Sequence, residues 1–170
     1  MKRIINEVSW KGQRYIMEWF SENNYDSLDN ITQVYGTMFD EQGKICLIIL
    51  NDKTVWSLPG GDVEKGENWK KVLIEKADKN ADITIDEKSI IPLGYIKVTP
   101  KNKDNPIGVH YLLRVAGKIS KVKNQSKNKW DDVINERIFI DTDEFSKYCS
   151  WGKIGAMTIE KAKDAWKVLK

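Results

Sequence analysis

Cysteine and histidine are nearly absent from this sequence: Cys46 and Cys149 are its two thiols and His110 its one imidazole in 170 residues. Two cysteines exclude the disulfide framework of small secreted domains, and Cys46, inside the apolar run Ile45 to Leu50, reads as a small buried hydrophobe. One histidine excludes a multi-histidine metal centre. Arginine is scarce as well, at Arg3, Arg14, Arg114 and Arg137 only, so the formal net charge of +3 is carried by lysine. The arginine-rich face of a dedicated nucleic-acid binder is therefore missing. No window reaches the ~18 apolar residues needed to span a bilayer, and Met1 to Val8 lacks the apolar core of a secretory signal, so no membrane partner and a cytoplasmic location are expected. No internal repeat is evident.

What is present is a composition of 41% hydrophobic and 31% charged residues with seven Trp, enough for one folded domain over residues 1–170. Ile31 to Phe39 and the run KICLIIL, separated by Asp40-Glu41-Gln42-Gly43, read as a hairpin. Asn51-Asp52-Lys53 is a second turn before the short strand TVWSL, which Pro59-Gly60-Gly61 should stop. Trp69, Val72, Leu73 and Ala77 then fall at helical spacing and predict an amphipathic helix from about Asn68 to Asn80.

Two long strand candidates follow, SIIPLGYIKVT and IGVHYLLRVAGKI, and Pro92 implies an edge position or an irregular start for the first. Lys121 to Lys129 reads as a surface loop ending at Trp130. A short strand RIFI, a helix start at Asp141 to Glu144 and a last helix from about Thr158 complete the chain. Residues 1–30 stay undecided, because Tyr15, Ile16, Trp19 and Phe20 suit a helix while Val8 and Trp10 suit a strand.

The strand, turn and helix at Leu58 to Ile83 carry the string LPGGDVEKGENW, with Gly61, Glu64 and Glu67 at its fixed positions. This resembles the first half of the Nudix box of the Nudix hydrolase (MutT-like) superfamily. The flanks are similar too, from the strand pair before the turn to the NERIFIDTDEF segment, so the resemblance covers about residues 31 to 148. It implies an α/β fold, a Nudix-type α/β/α sandwich with a mixed β-sheet between helices. Residues 1–30 would then be an extension and 149–170 a C-terminal helix.

The second half of the box departs. Where the pattern has Arg-Glu the chain has Glu75-Lys76, where it has Glu-Glu the chain has Lys79-Asn80, and where it has Gly the chain has Asp82. The family's carboxylates at i, i+3 and i+4 share one helix face and converge on divalent cations. Here that face carries Lys76, Lys79 and Asn80. A Lys ammonium held 4 Å from a divalent ion would be opposed by roughly 8 kcal/mol at an effective dielectric near 20. Glu75, Asp78 and Asp82 share another face, which reads as a solvated stripe.

The resemblance therefore implies a Nudix-type protein with impaired catalysis that binds a small nucleotide-like or other diphosphate-containing ligand. Candidate ligand-binding residues are Gly60, Gly61, Lys76, Lys79, Asn80, Tyr95, His110 and Arg114, with Tyr35, Trp56 and Tyr95 able to stack a base. His110, Leu112 and Arg114 are in phase on one strand and could line a cleft. The alternative is an active hydrolase that uses Glu64, Glu67 and Glu136 with Mg or Mn, the cation held by Glu64 and Glu67 if anywhere. Against it, turn bracing accounts for Glu64 and Glu67, and a surface charge pair with Arg137 for Glu136. Nucleic-acid binding through the Lys-rich loop ranks last, and a homodimer is compatible with the Trp content.

Overall fold

The computed structural model describes residues 3–49, 55–125 and 136–170. Among the described residues nine strands form one mixed sheet. They are β1 (Ile5–Trp10), β2 (Gln13–Phe20), β3 (Ile31–Phe39), β4 (Ile45–Ile49), β5 (Gly60–Asp62), β6 (Ile83–Ile85), β7 (Ile91–Pro100), β8 (His110–Val122) and β9 (Glu136–Ile140). The order is β1-β2-β7-β8-β3-β4-β9, with β5 added to β3 and β6 to β8. Among the described strands only β3 and β8 run parallel.

Helix α1 (Trp69–Ala81) covers one face and α3 (Gly152–Leu169), preceded by the short α2 (Phe145–Tyr148), covers the other. This is the α/β/α sandwich with a mixed sheet that the sequence implies. Among the described residues no helix is long and apolar enough to cross a membrane.

Strand alternation divides the core. Val34, Leu113 and Val115 turn to α1, where they meet Val72, Leu73 and Ala77. Phe39, Leu47 and Ala116 turn to α3, against Ile159 and Ala162. The helix α1 begins where its chemistry allows, with the Asn68 side chain accepting from the Lys71 N–H at 3.0 Å. It ends on Asp82 in the left-handed region at φ 50°, the conformation a glycine would adopt most easily.

The undecided N-terminal segment is a hairpin. Lys11 and Gly12, at φ 48° and 75°, make a turn of the kind that matches strand twist. Tyr15 and Trp19 of β2 are buried against Ile96, Val98 and Ile154. Tyr25 beyond it is a clamp, its hydroxyl 2.6 Å from the Arg114 carbonyl oxygen and 2.8 Å from that of Gly94.

Four expectations change. The first long strand lies inside the sheet between β2 and β7's other neighbour β8, so Pro92 marks an irregular start, a register shift between Pro92 and Gly94, and no edge. Of TVWSL, the described residues Val55 to Leu58 make an isolated bridge at Ser57 to Ile48 and no strand, and the Gly-Gly turn that should stop it is itself β5. The last helix starts at Gly152, well before Thr158, because Ile154 and Thr158 already pack inward and Gly155 lets Trp151 sit close. Of the Lys-rich segment, Lys121 and Val122 extend β8; residues 126–129, Trp130 and the Asn51-Asp52-Lys53 turn lie outside the described residues.

Gly60 fixes β5. It has φ 144°, and a Cβ there would lie 2.1 Å from the Val34 carbonyl oxygen and 2.8 Å from Tyr35 Cα, so only glycine permits the pairing. Gly60→Ala should cost about 3 kcal/mol and lower the melting temperature by about 6–12 °C. Gly12→Ala meets nothing within 4 Å and should cost only the left-handed strain, about 1 kcal/mol. Equal losses in thermal denaturation of the two variants would contradict the close approach.

Candidate functional site

The box turn is built on β3. The Gly36 N–H donates to the Pro59 carbonyl and the Val63 N–H to that of Thr32, both at 2.9 Å, so the chain is tied to the strand on either side of β5. The loop then closes on itself. The Glu67 N–H donates to the Glu64 carbonyl at 3.0 Å, and Glu67 Oε2 accepts from the Glu64 N–H at 2.8 Å. Glu67 thus braces the turn, and both acidic side chains stand at the surface.

On α1, the Lys76 stem packs against the turn: its Cδ and Cε would lie 3.6 Å from a Cβ placed on Gly61. Lys79 is exposed and Asn80 half-buried on the following turn. The displaced acidic stripe is engaged elsewhere. Glu75 pairs with Lys71 at 4.0 Å, Asp78 pairs with Lys123, and Asp82 caps the helix.

Glu136 is exposed at the start of β9. Its neighbour Arg137 does not form the charge pair expected from the sequence. Arg137 Nη1 donates to the carbonyls of Ala81 at 2.8 Å, Lys123 at 3.0 Å and Asp82 at 3.2 Å, and its guanidinium lies over the Phe139 ring. A cation there satisfies carbonyls that the end of a helix leaves without partners and complements its dipole.

Among the described residues no group of three His, Cys, Asp or Glu side chains could hold a metal ion. Lys76, Lys79 and Asn80 offer no carboxylate, so the residues at these positions do not fit a divalent cation.

A second locus lies on the opposite, α3-facing side of the sheet. His110, Leu112 and Arg114 of β8 do share this face, and they line two adjoining cavities of about 540 Å³ and about 500 Å³ that have Val8, Met17, Gln33 and Leu112 in common. The outer cavity reaches Asp62 and Glu64 of the box loop, Trp10 and His110. His110 Nδ1 lies 3.0 Å from the Gly108 carbonyl oxygen, which fixes the ring to its own turn. The inner cavity is walled by Tyr35, Trp56, Trp151 and Arg114. Tyr95 lies on the other face, stacked on Phe20 in the core beneath α1, and does not join Tyr35 and Trp56.

Arg114 is the unusual group here. It is 4% exposed, with its guanidinium 5.2 Å from the Tyr35 ring and 5.0 Å from the Trp151 ring. Nη1 donates to the Leu113 carbonyl at 2.9 Å, Nη2 reaches Gln33 Oε1 only at 3.5 Å, and Nε has no partner. No carboxylate pairs with it among the described residues. Burial pulls its pKa down to about 10, with Tyr35 and Tyr25 opposing, so it stays charged at neutral pH. The Tyr35 hydroxyl is pushed up by the same burial. Trp151, unremarkable in sequence, is the residue that pattern reading missed; its place ahead of the Gly152 helix start was the available signal.

No family model and no curated protein matches the sequence. The structure is similar to the Bacillus subtilis pyrophosphohydrolase BsRppH, with a TM-score of 0.67 at 15% identity over 94% of this chain and 97% of that one. It is similar also to a NUDIX hydrolase from Nitrosomonas europaea, with a TM-score of 0.58 at 13% identity over 83% of this chain and 96% of that one. The C. elegans Ap4A hydrolase gives a TM-score of 0.53 at 14% identity over 79% and 97%. These likenesses show the fold: the chain has the Nudix fold.

Proposed function

We propose that this chain binds a nucleotide or another diphosphate-containing ligand and does not hydrolyse it by the metal-dependent route. The observation that carries the reading is Lys76, which stands at a Glu position of the box and lays its stem on Gly61. A cation there repels a divalent metal and attracts a diphosphate. Lys79 and Asn80 extend the same polar surface, and the first turn of α1 contains no acidic residue to neutralise the positive end of its dipole. The similar folds include a pyrophosphohydrolase and an Ap4A hydrolase, which supports a ligand of the diphosphate class. Fold likeness alone does not fix activity, so the residues of the turn decide.

A working hydrolase relying on Glu64, Glu67 and Glu136 with Mg or Mn would act in the way the similar folds are named for, but Glu67 already accepts a backbone hydrogen bond at 2.8 Å, and among the described residues no third acidic group joins the pair.

Phosphate release from nucleoside triphosphates, dinucleoside polyphosphates and nucleotide sugars should stay at background with Mg or Mn, equally in wild type and Glu67→Gln. Gln keeps an acceptor for the Glu64 N–H, so the variant should fold. Metal-dependent release that Glu67→Gln abolishes would sink the reading. In the same preparations Lys76→Ala should weaken ADP binding roughly tenfold at low salt, from the loss of one charge-assisted contact, and the difference should shrink as salt is raised. Identical affinities by calorimetry would remove Lys76 from the ligand.

A further inference from the structure

We propose that β1 is the joint of a symmetric homodimer, in which it pairs antiparallel with β1 of a second copy and carries the sheet across a two-fold axis. The strand order leaves β1 at the margin of the sheet. On its inner side the Ile4 carbonyl accepts from the Trp19 N–H at 3.0 Å, and the pairing with β2 runs without a register shift from Ile5 opposite Glu18 to Trp10 opposite Gln13. Main-chain groups alternate sides along an antiparallel strand, so those of Asn6, Val8 and Trp10 bond to β2 while Ile5, Glu7 and Ser9 turn their N–H and C=O outward. Among the described residues no strand or loop meets the outward groups.

Sheet margins are ordinarily protected by a proline, a bulge, a lysine or a covering loop, because open main-chain donors and acceptors recruit another strand. β1, with the sequence INEVSW, has no proline, no lysine and no bulge, and Glu7 is its one charge. Its ends are apolar and wet: Ile5 is 48% exposed and Trp10 58%. Open backbone and exposed apolar side chains on the same strand are what a partner strand would cover.

Symmetry and charge select the occupant and the register. A two-fold axis normal to the sheet keeps each face on its own side, so residues opposite one another must lie on the same face. Centring the pair on Glu7 would set that carboxylate against its own copy, which is unfavourable. Centring on Asn6 would place Ser9 and Trp10 against residues that precede β1, and centring on Ser9 draws in Lys11, which is committed to the turn at φ 48°. Centring on Val8 pairs Asn6 to Trp10 in full. Val8 then faces Val8 of the second copy, Asn6 faces Trp10, and Glu7 and Ser9 exchange main-chain hydrogen bonds.

The charges agree with that register. Ser9 is opposite Arg14 across the hairpin, so Glu7 would lie in one row with Ser9 and Arg14 of the second copy, as it already lies 3.6 Å from its own Arg14. On the other face Val8 and Met17 meet their counterparts in an apolar strip through the axis. Each Trp10 comes to rest against Asn6 and Val8 of the other chain, and both of those residues line the inner cavity. One strand supplies both halves of this match, so a second copy is the partner it fits. So short a strand pair is a small interface, and assembly should depend on concentration.

Sedimentation velocity on the full chain, over a concentration series, tests the joint. The mass should rise toward twice that of one chain, and a single-chain mass at every concentration up to the solubility limit overturns the proposal. Ser9→Pro removes an outward N–H that bonds to nothing within the chain, a place where an edge strand admits proline. It should hold the protein at single-chain mass throughout, with a melting temperature near that of dilute wild type. Dimerisation of folded Ser9→Pro to the wild-type extent would put the contact elsewhere.

Val8→Cys reads the register and does not depend on the proline variant. Val8 and its counterpart would form a pair without mutual hydrogen bonds, with Cα atoms about 4.5 Å apart and within disulfide reach. Cys46 and Cys149 are buried and should stay silent. Mild oxidation should link Val8→Cys into a covalent dimer several-fold faster than Ser9→Cys, which faces Glu7. Equal rates, a faster link in Ser9→Cys or no link in either overturns the pairing, even where the chain dimerises.

Discussion

Gly60 lies where a methyl group would come within 2.1 Å of the Val34 carbonyl oxygen, and this bare-backbone contact seats β5 on β3. Both loci depend on it. Val34, opposite Gly61, points into the core beneath α1, and Tyr35, opposite Gly60, points the other way to stack on Arg114. The same strand is the parallel partner of β8, with Tyr35 in register with Arg114. One strand thus carries the turn on its edge and a wall of the cavity on its far face, and period-two alternation is what keeps the two on separate sides.

In the helix that follows, the residues that pack are distinct from the polar ones beside the turn. Val72, Leu73, Ala77 and Ala81 hold α1 to the sheet, and Lys76, Lys79 and Asn80 are not among them. The charge of those three positions is therefore not what holds the helix in place. The end of the helix follows the same logic: Asp82 takes the left-handed conformation at φ 50° in place of a glycine, and Arg137 donates three hydrogen bonds to carbonyls around it. Asp tolerates that region better than most residues.

Much of this was legible in the sequence because it is written locally. Asn68 and the spacing of Trp69, Val72, Leu73 and Ala77 place α1 within a residue of its observed ends, and β3, β4, β7, β8 and β9 follow from their apolar runs. What escaped was not local. Residues 13–20 are apolar in both strand phases, since Tyr15 and Trp19 face α3 while Ile16 and Phe20 are half-buried on the reverse side, so period two was masked. Gly152 and Gly155 disguise the start of α3, where the glycine is chosen for the close approach of Trp151 and not for helix propensity. The charge pair read for Glu136 and Arg137 failed because a sequence does not reveal which backbone carbonyls tertiary packing brings beside a guanidinium.

Arg114 makes the same point in energetic terms. Its phase on β8 with His110 and Leu112 was readable, but the groups around its guanidinium come from two separated places, Gln33 and Tyr35 on β3 and Trp151 at the head of α3. Two ring contacts contribute about 0.5–2 kcal/mol each. Desolvating a cation costs several kcal/mol even after relaxation. The rings therefore offset part of the cost and leave a remainder that no carboxylate among the described residues removes. A fold maintained for packing alone would be expected to lose such a charge, because an apolar side chain of the same length fills the space at lower free energy. The residual cost is concentrated at Nε, the guanidinium nitrogen that has no hydrogen-bond partner.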